Sequence, residues 1–244
     1  MRTLYKLGIG FILLLIISVG LLSFWWEGHE QEMYERNYMS HYDYDAILYI
    51  DSPLNNVTLY VPLPTMNNTS SVGQKIVNNS YRGPRSEWKT ALVETEHGLM
   101  LSLKTDHFEP HLVLRGEGPD TYPMPLSFST GVSPEHTIDT RDPINNEPLL
   151  APKYNLTYLG KTTSQRDADA YRYEGRVYAY YDTSPNTTVT MDVHMGGTNE
   201  WAEAAGWPSN NYRDYIRIEL SGPQNGWIAE EGELVTGEGT YRDQ

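Results

Sequence analysis

Residues 171–195 read YRYEGRVYAYYDTSPNTTVTMDVHM. Two runs rich in Tyr, Val and Thr, 171–182 and 187–195, flank Thr183-Ser184-Pro185-Asn186. Aromatic and β-branched side chains suit a pleated, half-buried surface, and a Ser-Pro-Asn cluster is turn chemistry. The stretch therefore predicts a β-hairpin. The same grammar extends in both directions. Residues 212–221 and 227–236 flank Gly222-Pro223-Gln224-Asn225-Gly226, a second hairpin signal. Val57, Leu59 and Val61 alternate with Thr58 and Tyr60, and Leu99, Leu101 and Leu103 with Met100, Ser102 and Lys104. This period of two places Leu101 in a core. Residues 89–95 lead into the second run through Glu96-His97-Gly98, a third hairpin. With 44–51, 111–115, 125–129 and 154–160, the count reaches about eleven strands.

All 15 Pro of the 244 residues lie beyond residue 26, which leaves little room for long helices there. Many short strands between turn signals predict an all-β fold, an antiparallel β-sandwich-like domain. Polar, Asn- and Pro-rich connections at 65–85 and 138–152 interrupt the strands. The second allows either one composite domain or two packed β units, 41–137 and 153–244. One short helix is expected at 199–205, with Asn199 as cap, Glu200 and Glu203 near its start, and Gly206 and Pro208 as its stop.

The N-terminus follows a different rule. Residues 7–26, LGIGFILLLIISVGLLSFWW, contain no charge, proline or amide side chain. At 1.5 Å per residue they make about 30 Å of helix, the thickness of a hydrocarbon core. Arg2 and Lys6 precede the run, and Glu27, Glu30, Glu32 and Glu35 follow it. The positive-inside rule then predicts a cytoplasmic tail at 1–6, a transmembrane signal anchor at 7–26, a stalk at 27–40 and an extracellular β domain at 41–244. Trp25 and Trp26 fall where an interfacial aromatic belt would lie, and the bulky exit of the run is a poor substrate for signal peptidase. The expected location is the cell membrane, crossed once.

Thirty-two acids against 18 bases give a net charge of −14, and there is no Cys. A phosphate-tracking surface needs the opposite sign, so nucleic acid is not an expected partner. The missing Cys removes disulfides, thiol catalysis and cysteine-held metals. Six N-x-[ST] sequons, at Asn56, Asn67, Asn68, Asn78, Asn155 and Asn186, all fall on the predicted outer side. Chance pairing of these residue types gives about two, so the excess predicts a glycoprotein. Acidity, sequons and absent Cys together fit an archaeal-like cell surface.

Chemistry is thinly signalled. Asp106, His107, Glu109 and His111 form the densest ligand-type cluster, but in an extended strand the two imidazoles would lie about 13 Å apart. The acid pairs Asp139/Asp142, Asp167/Asp169 and Glu230/Glu231 match no calcium loop. No catalytic motif, metal site or cofactor is called for. The distinctive segment is 196–227, which holds three of the four Trp beyond residue 26. Trp201, Trp207, Tyr212 and Trp227 are its candidate contact residues, since Trp and Tyr are favoured at interfaces. The expectation is a membrane-anchored, non-catalytic interaction or structural protein of the cell envelope. Its expected partners are the membrane and a protein at the cell surface. A carbohydrate-binding module is the alternative, and an exported hydrolase a third reading.

Overall fold

A computed structural model describes residues 2–84, 87–114, 121–162 and 168–242, with the side chains of 2–13, Glu27, Leu114 and Thr121 left aside. The chain divides into two compact units. One is Met1–Met39 with Glu200–Ser209, and the other is Ser40–Asn199 with Asn210–Gln244.

The first unit is built on α1 (Arg2–Asn37), which runs on through the expected stalk. Nothing in 27–37 breaks it, and Gln31 Nε2 donates to Glu35 Oε1 at 2.7 Å one turn away. Near its end Tyr34 and Tyr38 close on Trp201, with ring centroids 5.8 and 6.3 Å away. Among the described residues no helix is long and apolar enough to cross a membrane. The side chains of 7–13, the first part of the expected anchor, lie outside the described residues.

The rest of this unit corrects the expected helix at 199–205. Glu203 and Gly206 instead exchange backbone hydrogen bonds at 2.9 and 3.2 Å, and Trp201 N–H donates to the Pro208 carbonyl at 3.2 Å. The segment is a tight loop. Asn199 cannot cap a helix because its amide is already committed within the second unit. Its Nδ2 donates to the Ile138 carbonyl at 2.8 Å and to Asn210 Oδ1 at 2.9 Å, and its Oδ1 accepts from Ser40 Oγ at 2.7 Å.

The second unit is nearly all antiparallel β with a curled sheet. In chain order its elements are β1 (Met39–Ile50), β2 (Leu54–Thr65), α2 (Ser71–Val77), β3 (Lys89–Thr95), β4 (Gly98–Phe108), β5 (Leu112–Leu114), β6 (Thr121–Pro123) and β7 (Leu126–Val132). There follow β8 (Leu149–Ala151), β9 (Tyr154–Lys161), β10 (Asp169–Asp182), β11 (Thr188–Glu200), β12 (Ser209–Ser221) and β13 (Gln224–Gly239). The main sheet runs β3-β4-β2-β10-β13-β12-β11-β1-β7, with β8 added to β2 and β9 to β10. Strands from both sides of residues 138–152 interleave in it. β5 and β6 pair separately.

The curl follows from α2. It packs on β2 and β3 near one end of the strand order and on β7 at the other. Ser70 Oγ caps it by accepting from Gly73 N–H at 2.9 Å, and Val72 and Ile76, four apart, are buried beneath it. A polar connection was expected over these residues. Backbone bonds between Arg82 and Ser129, 2.8 and 3.0 Å, hold the same seam. Inside the curl lie Tyr44, Leu48, Leu59, Leu101, Phe128, Val177, Ile216 and Leu234, all at most 1% exposed.

Two of the three expected hairpins form, β3–β4 and β12–β13. The third does not, because β10 and β11 are not neighbours. β10 instead lies along β13 from Asp169↔Thr236 to Tyr181↔Gln224, with β12 and β11 beyond. The order β10-β13-β12-β11 is a Greek key. Its crossing segment bends with Thr187 N–H on the Ser184 carbonyl at 3.2 Å and takes Gly222 N–H on the Thr187 carbonyl at 2.9 Å. Gly222, at φ +67°, leaves room for it, since a Cβ there would sit 3.1 Å from the Pro185 carbonyl oxygen.

Candidate functional site

The four contact candidates separate. Tyr212 is fully buried in the second unit; its hydroxyl donates to the Pro148 carbonyl at 2.7 Å, and its ring fills the space a Cβ on Gly197 would need. Trp201, 1% exposed, is held in the first unit by Tyr34 and Tyr38, and its Nε1 donates to Glu203 Oε1 at 2.8 Å. Trp207 is 61% exposed, and Trp227 is half-buried. Only the last two offer ring surface, and they belong to different units.

Trp227 stands in a cluster that register creates. On β13 it lies opposite Tyr178 of β10, which lies opposite Tyr60 of β2. All three point away from the core because the intervening positions, Leu59, Val177 and Ala179, are buried. Tyr60 and Tyr178 stack at 5.0 Å, and Trp227 meets Tyr178 edge-on at 5.3 Å. From the β3–β4 turn, His97 sets its ring edge-on to Trp227 at 4.5 Å, and its Nδ1 is 2.9 Å from the Tyr154 hydroxyl. Arg176 covers the Tyr154 ring at 5.4 Å and is paired with Glu174 at 2.6 Å.

The result is an apolar strip with a hydrogen-bonding and charged rim. The sequence singled out Trp227 alone. Tyr60 and Tyr178 carried a usable signal, an aromatic at the outward position of a period-two run. Their convergence depended on strand order.

The other sequence clusters do not assemble. Among the described residues no three His, Asp or Glu side chains are placed to hold a metal ion. His107 Nδ1 sits 2.7 Å from Asn55 Oδ1, and its Nε2 is 3.7 Å from Glu109. Asp139 accepts Asp142 N–H at 3.0 Å, a local turn, and Asp169 pairs with Lys161 at 2.9 Å. Asp167 lies outside the described residues. The six sequon asparagines are all exposed. Asn56, Asn67, Asn68 and Asn155 have φ between +51° and +58°, a conformation Asn tolerates better than most residues.

A buried polar clamp was not read from the sequence. Asp214, fully buried on β12, accepts from Lys153 Nζ at 2.7 Å, the Tyr173 hydroxyl at 2.8 Å and Leu150 N–H at 2.8 Å. The Lys153 ammonium also lies 3.4 Å from the Tyr173 ring centroid. Burial draws Lys153 down to about 8, against the opposing pull of Asp214. The clamp joins the β8–β9 connection to β10 and β12.

The fold and this geometry define an N-terminal helix followed by a curled antiparallel β domain with an outward aromatic cluster. No protein family, curated protein or solved structure matches the chain at a significant level.

Proposed function

We propose that this chain is a single-pass, membrane-anchored cell-surface protein. Its sandwich-like β ectodomain acts without catalysis, as an interaction or structural component of the cell envelope or of a membrane-associated complex. The supporting observation is α1. Every described side chain from 14 to 26 is exposed, with Leu14 at 66%, Leu21 at 65% and Phe24 at 78%. A helix that packs on its own protein buries one stripe; one that is apolar all round is a core or membrane helix. Arg2 and Lys6 before the apolar run, the acidic residues after Trp26 and the six sequons support an outer β domain. Intact-mass measurement of protein extracted from native membranes tests the anchor. A mass that still includes residues 1–26 is expected, from protein retained in the membrane pellet after alkaline wash. Loss of residues 1–26, or release by the wash, would end this reading.

The contact surface of the β unit follows the half-buried Trp227 and its neighbours, and in the helix-bearing unit the exposed Trp207 is a separate contact candidate. Trp227→Ala is expected to cost about 2 kcal/mol of stability, since only part of the ring is buried. It should also weaken capture of the cell-surface protein partner about tenfold or more. Thermal melts and co-purification from native membranes measure the two effects separately. Carbohydrate recognition is the second reading, favoured by the same rings beside Arg176 and Glu174. Retained protein capture with lost glycan retention on the Trp227→Ala protein would select it.

A further inference from the structure

β9 is the least protected strand of the sheet. Among the described residues it pairs with β10 alone, so one side of its backbone meets no strand. Its apolar side chains face solvent, with Leu156 37%, Tyr158 54% and Leu159 52% exposed. A free edge of this kind templates pairing with another chain, and proteins blunt it with charge, proline, a bulge or a cover. Between Tyr154 and Gly160 there is no charged residue and no proline. Register shifts against β10 add twist but, among the described residues, leave the outer edge without a strand partner.

The same strand carries the sequon Asn155-Leu156-Thr157. Asn155 is exposed, and among the described residues nothing accepts a hydrogen bond from its Nδ2. Two other sequon asparagines use theirs: Asn56 donates to Asp182 at 2.8 Å and Asn68 to Glu94 at 2.9 Å. The left-handed φ of +56° accounts for Asn at 155 but not for Thr two residues later, whose hydroxyl donates to the Asn155 carbonyl at 2.9 Å.

We propose that an N-linked glycan on Asn155 covers the free edge of β9 and keeps it from pairing with a second copy of this chain. The inference rests on the exported, membrane-anchored reading above. Attachment forms a bond between Nδ2 and the anomeric carbon of a sugar carried on a lipid-phosphate donor. The donor's C–O bond breaks, the phosphate leaves with the electron pair, and the amide releases one proton. The bulky, hydrated sugar at the start of the strand then crowds the approach of a second chain to this edge.

Peptide mass spectrometry of protein purified from native membranes is expected to find glycan on Asn155. Asn155→Gly, which the positive φ accepts, and Thr157→Val both remove the acceptor; Thr157→Ser keeps it. In detergent, light scattering on the full chain should give one size for wild type and Thr157→Ser across a dilution series. The two acceptor-less variants should form larger, concentration-dependent species. Bare Asn155 beside occupied sequons, or acceptor-less variants that match wild type in size, would overturn the inference and leave the anchored reading intact. Failure of that reading shows separately, in the membrane wash.

Discussion

Raising the pH beyond 10 is expected to unfold the β domain cooperatively within one to two pH units. Five tyrosines, Tyr42, Tyr44, Tyr173, Tyr181 and Tyr212, are at most 4% exposed. Burial is the first cause that raises each above its ordinary value of 10; Glu147 adds to it at Tyr42 and Asp214 at Tyr173. Four of the hydroxyls serve as fixed donors: Tyr42 to Glu147, Tyr44 to the Pro62 carbonyl, Tyr173 to Asp214 and Tyr212 to the Pro148 carbonyl. The sign follows from proton counting. Above pH 10 the unfolded chain has released these protons and the folded chain still holds them, so stability falls as pH rises. Each group contributes about 1.4 kcal/mol per pH unit and five contribute about 7, against a typical total stability of about 5–15 kcal/mol. Part of the rise in tyrosine absorbance should coincide with the loss of near-ultraviolet circular dichroism. Ionisation of all 19 tyrosines near pH 10 with the fold intact would contradict the burial of these rings.

Asp214→Ala is expected to cost about 3–5 kcal/mol, because it leaves an ammonium buried without its partner. The Tyr173 hydroxyl and the Leu150 N–H lose their acceptor as well. Denaturant titration at pH 7 measures the loss, and a cost below about 1 kcal/mol would show the clamp to be idle. A pH series gives a second readout. Lys153 lies at about 8 in the folded protein, drawn down by burial, against 10.5 ordinarily. Between those values the unfolded chain binds the extra proton, so wild-type stability should climb from pH 8 until the tyrosines take over at 10. Without the opposing carboxylate, the variant should begin its recovery at lower pH.

Strand positions were legible from the sequence because period two is a local property. The alternations at 57–61 and 99–104 and the turn at 222–226 needed no partner to be read. Strand neighbours were not legible. Thr183-Ser184-Pro185-Asn186 turns the chain equally well into a hairpin or across a Greek key. The choice is made by where β10 buries Tyr173, Val177 and Tyr181, alongside β13. Asn199 failed for a related reason. As a residue type it caps helices, and only the distant Ile138 and Asn210 reveal it as a cross-strand amide. In α2 the signal was present, Ser70 ahead of Val72 and Ile76, but Asn-rich flanks masked it. Of the contact residues, an isolated Trp or Tyr in sequence gives no sign of whether its ring is buried. Trp201 and Tyr212 became architecture for that reason, while Tyr60 and Tyr178 went unnoticed beside Trp227.

The helix-bearing unit meets the β unit covalently at three places, after Met39, after Asn199 and after Ser209. The strands that leave those junctions, β1, β11 and β12, are consecutive in the sheet. A tug on the helix therefore enters three adjacent strands together. The loop that holds Trp201 against Tyr34 and Tyr38 thereby gives the helix-bearing unit three covalent junctions with adjacent strands, where the helix alone would have one.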